Sequence, residues 1–131
     1  LQFLSKNILA DCAHNPSGFK VLKKELLILK NKKRIKDFIF VVGIQNDKDA
    51  AAMLKIINPI ISTIIFTKSK NEKAANPIEL LKIFKKNNGN NSINKKIINN
   101  PKNALNYAKK FAGKNDLVVV AGSIYLVGEM I

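Results

Sequence analysis

The sequence is poor in cysteine, histidine and acid, and it has no tryptophan. A single cysteine, Cys12, excludes an internal disulfide and suits a reducing compartment, so a cytoplasmic protein is expected. No apolar run approaches the roughly 20 residues needed to span a bilayer, so no membrane partner is expected. No signal peptide is expected, and no internal repeat shows. The chain begins at Leu1 rather than Met, which is expected of a piece of a longer protein. There is also no G-x-x-x-x-G-K-[S/T] string, the loop whose backbone amides and lysine cradle nucleotide phosphates. No metal-ligating set is expected either.

What is present is enough for one packed unit. A length of 131 residues suits a single domain, residues 1–131, and an apolar fraction of 47% suits a well-filled core. The net charge is +14, carried by 22 Lys and one Arg against nine acids. Such a balance raises the question of nucleic acid, because lysines that neutralise phosphates release condensed counterions. Three features argue against it. Arg, the planar fork that reads bases and phosphates, is almost missing. The lysines spread along the whole chain. They also accompany 17 Asn and 18 Ile, a Lys-Asn-Ile bias of composition rather than a surface. The charge reads better as an attraction for ATP and acidic substrates.

Strands and helices alternate. Residues 7–11 read as a short strand, followed by a break at Asn15-Pro16-Ser17-Gly18, with Ser17 as the expected helix N-cap. Phe19, Leu22, Leu26 and Leu29 form an apolar stripe over a helix to Lys30, and residues 31–36 read as a Lys-rich turn. Residues 37–44 are a strand apolar on both faces, as in a central parallel strand. Asp49 can cap a helix to Ile57, and residues 61–67 form a third strand. Pro77 suits the first turn of a helix to Lys86, and the Asn-, Gly- and Ser-rich residues 87–92 are expected to be flexible. A strand at 95–99, a helix from Pro101 to Ala112, a strand at 117–121 and a short terminal helix complete the pattern. The fold class expected is α/β: a Rossmann-like, mainly parallel sheet of five or six strands with helices on both faces.

Ligands on such sheets sit beyond the carboxyl ends of the strands. The unusual polar residues fall there: Asp11 to Asn15, Asn46 to Asp49, Lys68 to Lys73, and Gly122-Ser123. A carboxylate such as Asp11 at a strand end can accept from two ribose hydroxyls, and an imidazole such as His14 can reach a phosphate or orient a carboxyl group. The plainer alternative is that Asp11 and Asn15 satisfy backbone amides in a tight turn while His14 lies on the surface.

Four strings, in order, carry a resemblance. Asp11-Cys12-Ala13-His14-Asn15-Pro16 resembles the signature that opens the last domain of folylpolyglutamate and dihydrofolate synthases, and a relative of it opens the same domain in the Mur ligases. Gly43 with Asp47-Lys48-Asp49 is similar to that family's "G…DKD" loop. The segment from Asn71 to Pro77, with Glu79-Leu80, resembles its "NPRAAxPEEL" stretch. The segment from Ala121 to Glu129 resembles its closing "GSLYLVGE". Two departures stand out: Cys12 occupies a position often Gly, Val or Tyr, and Lys73 stands where the family has Arg. Arg grips a carboxylate with two parallel hydrogen bonds, which Lys cannot do.

The resemblance implies an ATP-dependent, ADP-forming amide ligase. In that family ATP phosphorylates a folate-like carboxylate and the amino group of glutamate attacks the acyl phosphate. ATP and Mg²⁺ are held mainly by an N-terminal ATPase domain of the same protein, onto which the small C-terminal domain closes. Asp11, His14, Asn15 and Ser123 are then the implied nucleotide-binding residues, and Lys73, Asp47 and Lys48 the implied substrate-binding ones. This chain alone, lacking the phosphate loop, is expected to be inactive. The alternatives are a Mur-type amino-acid ligase domain, a free-standing nucleotide-binding module, and a basic nucleic-acid-binding domain.

Overall fold

The computed structural model describes residues 1–87 and 92–130. The loop expected at 87–92 therefore lies outside the described residues apart from its two ends. Six strands form one sheet in the order β1-β2-β6-β3-β4-β5, where β1 is Gln2–Ser5, β2 Ile8–Ala10, β3 Phe38–Val42, β4 Ile61–Phe66, β5 Asn94–Ile97 and β6 Leu117–Ala121. Every pairing is parallel except β1 with β2, a hairpin at one edge. The sheet is thus mainly parallel and six-stranded, as expected. β1 escaped notice because Gln2–Ser5 is short, partly polar and exposed.

Helices cover both faces. Alternate strand residues point to opposite sides. Phe38, Phe40 and Val42 of β3 and Leu117, Val119 and Ala121 of β6 meet Phe19, Leu22 and Leu26 of α1 (Pro16–Lys33), Met53, Leu54 and Ile57 of α2 (Ala50–Ile57), and Leu80 and Phe84 of α3 (Pro77–Asn87). Ile39 and Val41 of β3 and Val118 and Val120 of β6 meet Ala104 and Ala108 of α4 (Pro101–Phe111) and Leu126 and Val127 of α5 (Ile124–Met130). Both β3 and β6 are therefore buried on two sides, which explains their unbroken apolar runs. No helix among the described residues is long and apolar enough to cross a membrane.

Helix starts follow local capping chemistry. The Asn100 and Asp49 side chains accept from the amides of Asn103 and Ala52. The first helix differs from expectation. Its cap is Asn15, whose Oδ1 accepts from Gly18 N–H at 2.7 Å, and Ser17 lies inside the first turn. Pro16 takes the first helical position, where a missing N–H costs nothing. The same helix also runs past Lys30 to Lys33. Its last turn carries Lys30, Lys32 and Lys33 against the negative end of the helix dipole, and Arg34 closes it in a left-handed conformation, φ 53°.

Candidate functional site

β6 lies between β2 and β3, and its chain continues to α5 on one face while theirs continue to α1 and α2 on the other. The carboxyl ends of these strands therefore diverge around β6, which opens a crevice. Backbone contacts tie the loops together. Gly122 N–H donates to the Ala13 carbonyl at 3.1 Å and Gly43 N–H to the Ala121 carbonyl at 3.3 Å. The approach is so close that a Cβ on Gly122 would stand 2.3 Å from the Gly43 carbonyl oxygen, and Gly122 has φ +116°. Only glycine fits both demands.

The β4–α3 loop folds back over the end of β3. Gln45 and Ala74 form an antiparallel bridge, Asn46 N–H donates to the Lys73 carbonyl at 2.7 Å, and Ala75 N–H donates to the Ile44 carbonyl at 2.9 Å. From the other side, Glu129 of α5 accepts from Lys70 N–H at 2.7 Å. Lys73 is thus carried to the crevice although 30 residues of chain separate it from Gly43.

The result is a cleft of ≈ 250 Å³ lined by His14, Gln45, Asp47, Lys48, Lys73, Ser123, Ile124 and Tyr125. Five of the seven residues singled out in the sequence line it: His14, Asp47, Lys48, Lys73 and Ser123. They come from four separate loops. His14 Nδ1 donates to the Cys12 carbonyl at 3.0 Å. A carbonyl can only accept, so the proton sits on Nδ1 and Nε2 keeps no partner among the described residues. Neither Lys48 nor Lys73 is in a salt bridge; the two ion pairs among the described residues are Leu1 with Asp11 and Lys82 with Glu79. Two unpaired ammonium groups and an imidazole on one cleft favour an anionic ligand, and Asp47 adds one carboxylate. Ser123 is buried, and its Oγ accepts from the amides of Tyr125 and Leu126, so it caps α5 from the cleft wall.

The other two residues are placed elsewhere. Asp11 borders a neighbouring depression with Cys12 and Val127. Its Oδ1 accepts from Ala13 N–H at 2.8 Å, which folds the loop that carries His14. The Asn15 carboxamide oxygen serves as the helix cap. Among the described residues no group of three or more His, Cys, Asp or Glu side chains converges on one point. Three lining residues were not anticipated: Gln45, Ile124 and Tyr125. The last two fall within the closing string of the resemblance and are about half exposed at the rim. Gln45 opens the turn after an apolar strand, its carbonyl accepting from Lys48 N–H at 3.2 Å, and a long polar side chain at that place is the signal that could have marked it.

Solved structures share this fold, and a curated protein shares the sequence in part. The crystal structure of folylpolyglutamate synthase from Thermotoga maritima superposes with a TM-score of 0.73 at 27% identity, covering 90% of this chain and 25% of that one. The Mycobacterium tuberculosis folylpolyglutamate synthase complexed with ADP gives a TM-score of 0.83 at 18% identity over 96% of this chain and 29% of that one, a likeness of fold. The curated UDP-N-acetylmuramoyl-L-alanyl-D-glutamate--2,6-diaminopimelate ligase of Buchnera aphidicola subsp. Baizongia pistaciae (strain Bp) is 32% identical over 116 residues, 88% of this chain and 22% of that protein. The chain therefore spans less than a third of the length of these relatives. Residues 4–131 match the model of the dihydrofolate synthetase C-terminal domain, nearly the whole length, and the chain belongs to that family.

Proposed function

We propose that this chain is the C-terminal domain of an ATP-dependent, ADP-forming ligase that joins glutamate to a folate-like carboxylate through an acyl phosphate. The observation that carries the reading is the convergence of His14, Lys48 and Lys73 on one cleft at the strand ends. These three groups would hold anionic parts of the nucleotide and of the incoming amino acid, with Asp47 beside them and Ser123 shaping the wall. Asp11 serves the same site by folding the loop that presents His14, while Asn15 caps the helix that follows. ATP supplies the phosphoryl group that activates the acid. A separate N-terminal domain would hold its phosphates and Mg²⁺, since no phosphate loop occurs in these 131 residues. Closure of the two domains would keep water from the acyl phosphate.

The longer protein that carries this domain should form ADP only when a folate-like acid and glutamate are both supplied. The 131-residue chain alone should show neither ATPase nor ligation. Steady turnover by the clean chain, abolished by Asp11→Ala, would overturn the division of labour. A second reading, a Mur-type amino-acid ligase, is favoured by the 32% identity to a ligase named for 2,6-diaminopimelate. Supplying that diamino acid with a nucleotide-linked peptide in place of glutamate and folate would separate the two.

A further inference from the structure

One carboxamide of the cleft wall, Gln45, is held by a second, Asn71, and the orientation of both is dictated. Gln45 is only 7% exposed. Its Nε2 donates to Asn71 Oδ1 at 2.8 Å, and the same Oδ1 accepts from the backbone N–H of Lys73 at 2.9 Å. A backbone N–H can only donate, so the Asn71 atom that faces it must be the oxygen. Gln45 must then present its nitrogen to Asn71. This leaves Gln45 Oε1 as the free end. It is not one of the buried side-chain atoms that lack a partner, which among the described residues are Asn58 Oδ1 and Thr63 Oγ1. Oε1 takes part in none of the hydrogen bonds described for this residue, and Gln45 lines the cleft beside Lys48 and Lys73.

We propose that Gln45 Oε1 is a specificity element that accepts a hydrogen bond from the amino group of an incoming α-amino acid whose carboxylates face Lys48 and Lys73. The inference rests on the reading of this cleft as the amino-acid site and says how it would tell an amino acid from a plain dicarboxylate. Two lysines alone favour the ligand with more negative charge. Glutarate, with two carboxylates and no amine, would then bind more tightly than glutamate. Selecting glutamate requires an acceptor aimed at the amine, and a fixed carboxamide oxygen supplies one without the desolvation cost of a further buried charge. Asn71 is the positioning residue: it holds the carboxamide so that an oxygen, not an NH₂, meets the ligand.

The test is an amide-NMR titration of the chain with L-glutamate and with glutarate. Wild type should bind glutamate at least as tightly as glutarate. Gln45→Met, similar in shape but without the acceptor, should weaken glutamate about tenfold and leave glutarate unchanged. Asn71→Asp keeps an acceptor for both donors and should preserve the preference, whereas Asn71→Leu should lose it. The Gln45 backbone stays pinned by its bridge to Ala74, and an unchanged spectrum away from the cleft will show that each variant is folded. Tighter binding of glutarate by wild type overturns the inference. So does a glutamate preference that survives Gln45→Met and disappears in Asp47→Asn. Shifts with neither ligand, or shifts indifferent to Lys73→Ala, overturn the reading of the cleft and the inference with it.

Discussion

His14 and Asn15 are neighbours with opposite duties, and substitution should separate them. Asn15→Ala removes a cap that Gly18 N–H needs, which costs about 1 kcal/mol. Calorimetry should show a lower melting temperature with anion affinity intact once the fold is restored by cooling. His14→Ala leaves the melting temperature unchanged, because Nδ1 makes one exposed contact, but should weaken ADP binding about five- to tenfold. A His14→Ala protein that melts earlier and binds normally would return this imidazole to the surface reading. Gly122 admits less freedom. Alanine there meets both the positive φ and the Gly43 carbonyl, so Gly122→Ala should destabilise by about 3 kcal/mol or more, and a stable variant with native spectra would contradict the contact described. The residue types at the site were readable because the strings around them are unusual. The sequence left two roles open for Asp11 and Asn15, ligand contact or satisfaction of backbone amides in a tight turn, because both are polar residues of one loop; the hydrogen bonds to Ala13 and Gly18 show the second.

At the level of elements, α1 offers a direct measurement. It ends on Arg34 in the left-handed region, a conformation that costs a non-glycine residue about 1 kcal/mol. Arg34→Gly should stabilise by about 0.5–1 kcal/mol, read from the urea midpoint at unchanged slope. A lower midpoint would mean that the guanidinium does something the backbone does not reveal. This ending also shows where sequence patterns lose resolution. The apolar stripe of α1 fades after Leu29, yet the helix continues for another turn of lysines, because a cap and a dipole can prolong a helix without burying anything. Central strands were legible from their continuous apolar runs, since burial on two faces leaves no polar positions. β1 was not, because a half-exposed edge strand has neither a run nor a full alternation. The β4–α3 loop reads as polar and irregular. Nothing in its residues announces that Gln45, Asn71 and Glu129 fasten it from both sides.

For the whole molecule, a charge of +14 with two ion pairs among the described residues means that repulsion between lysines opposes compactness. Salt should relieve it. The Debye length falls from about 30 Å to about 10 Å between 0.01 M and 0.1 M, and the melting temperature should rise over that range; a flat or falling dependence would show that the lysines are already compensated. The strand order has a consequence of another kind, for the time during which the chain is being made. β6 sits between β2 and β3 but is synthesised about 75 residues after β3 ends, roughly 4–15 s later at usual elongation rates. Throughout that interval Phe38–Val42 has an open edge of unpaired amides and carbonyls where β6 will lie. A ribosome-stalled chain ending before Leu117 should therefore recruit chaperones and exchange freely the β3 amides that face β6, and one extended through Met130 and clear of the exit tunnel should do neither.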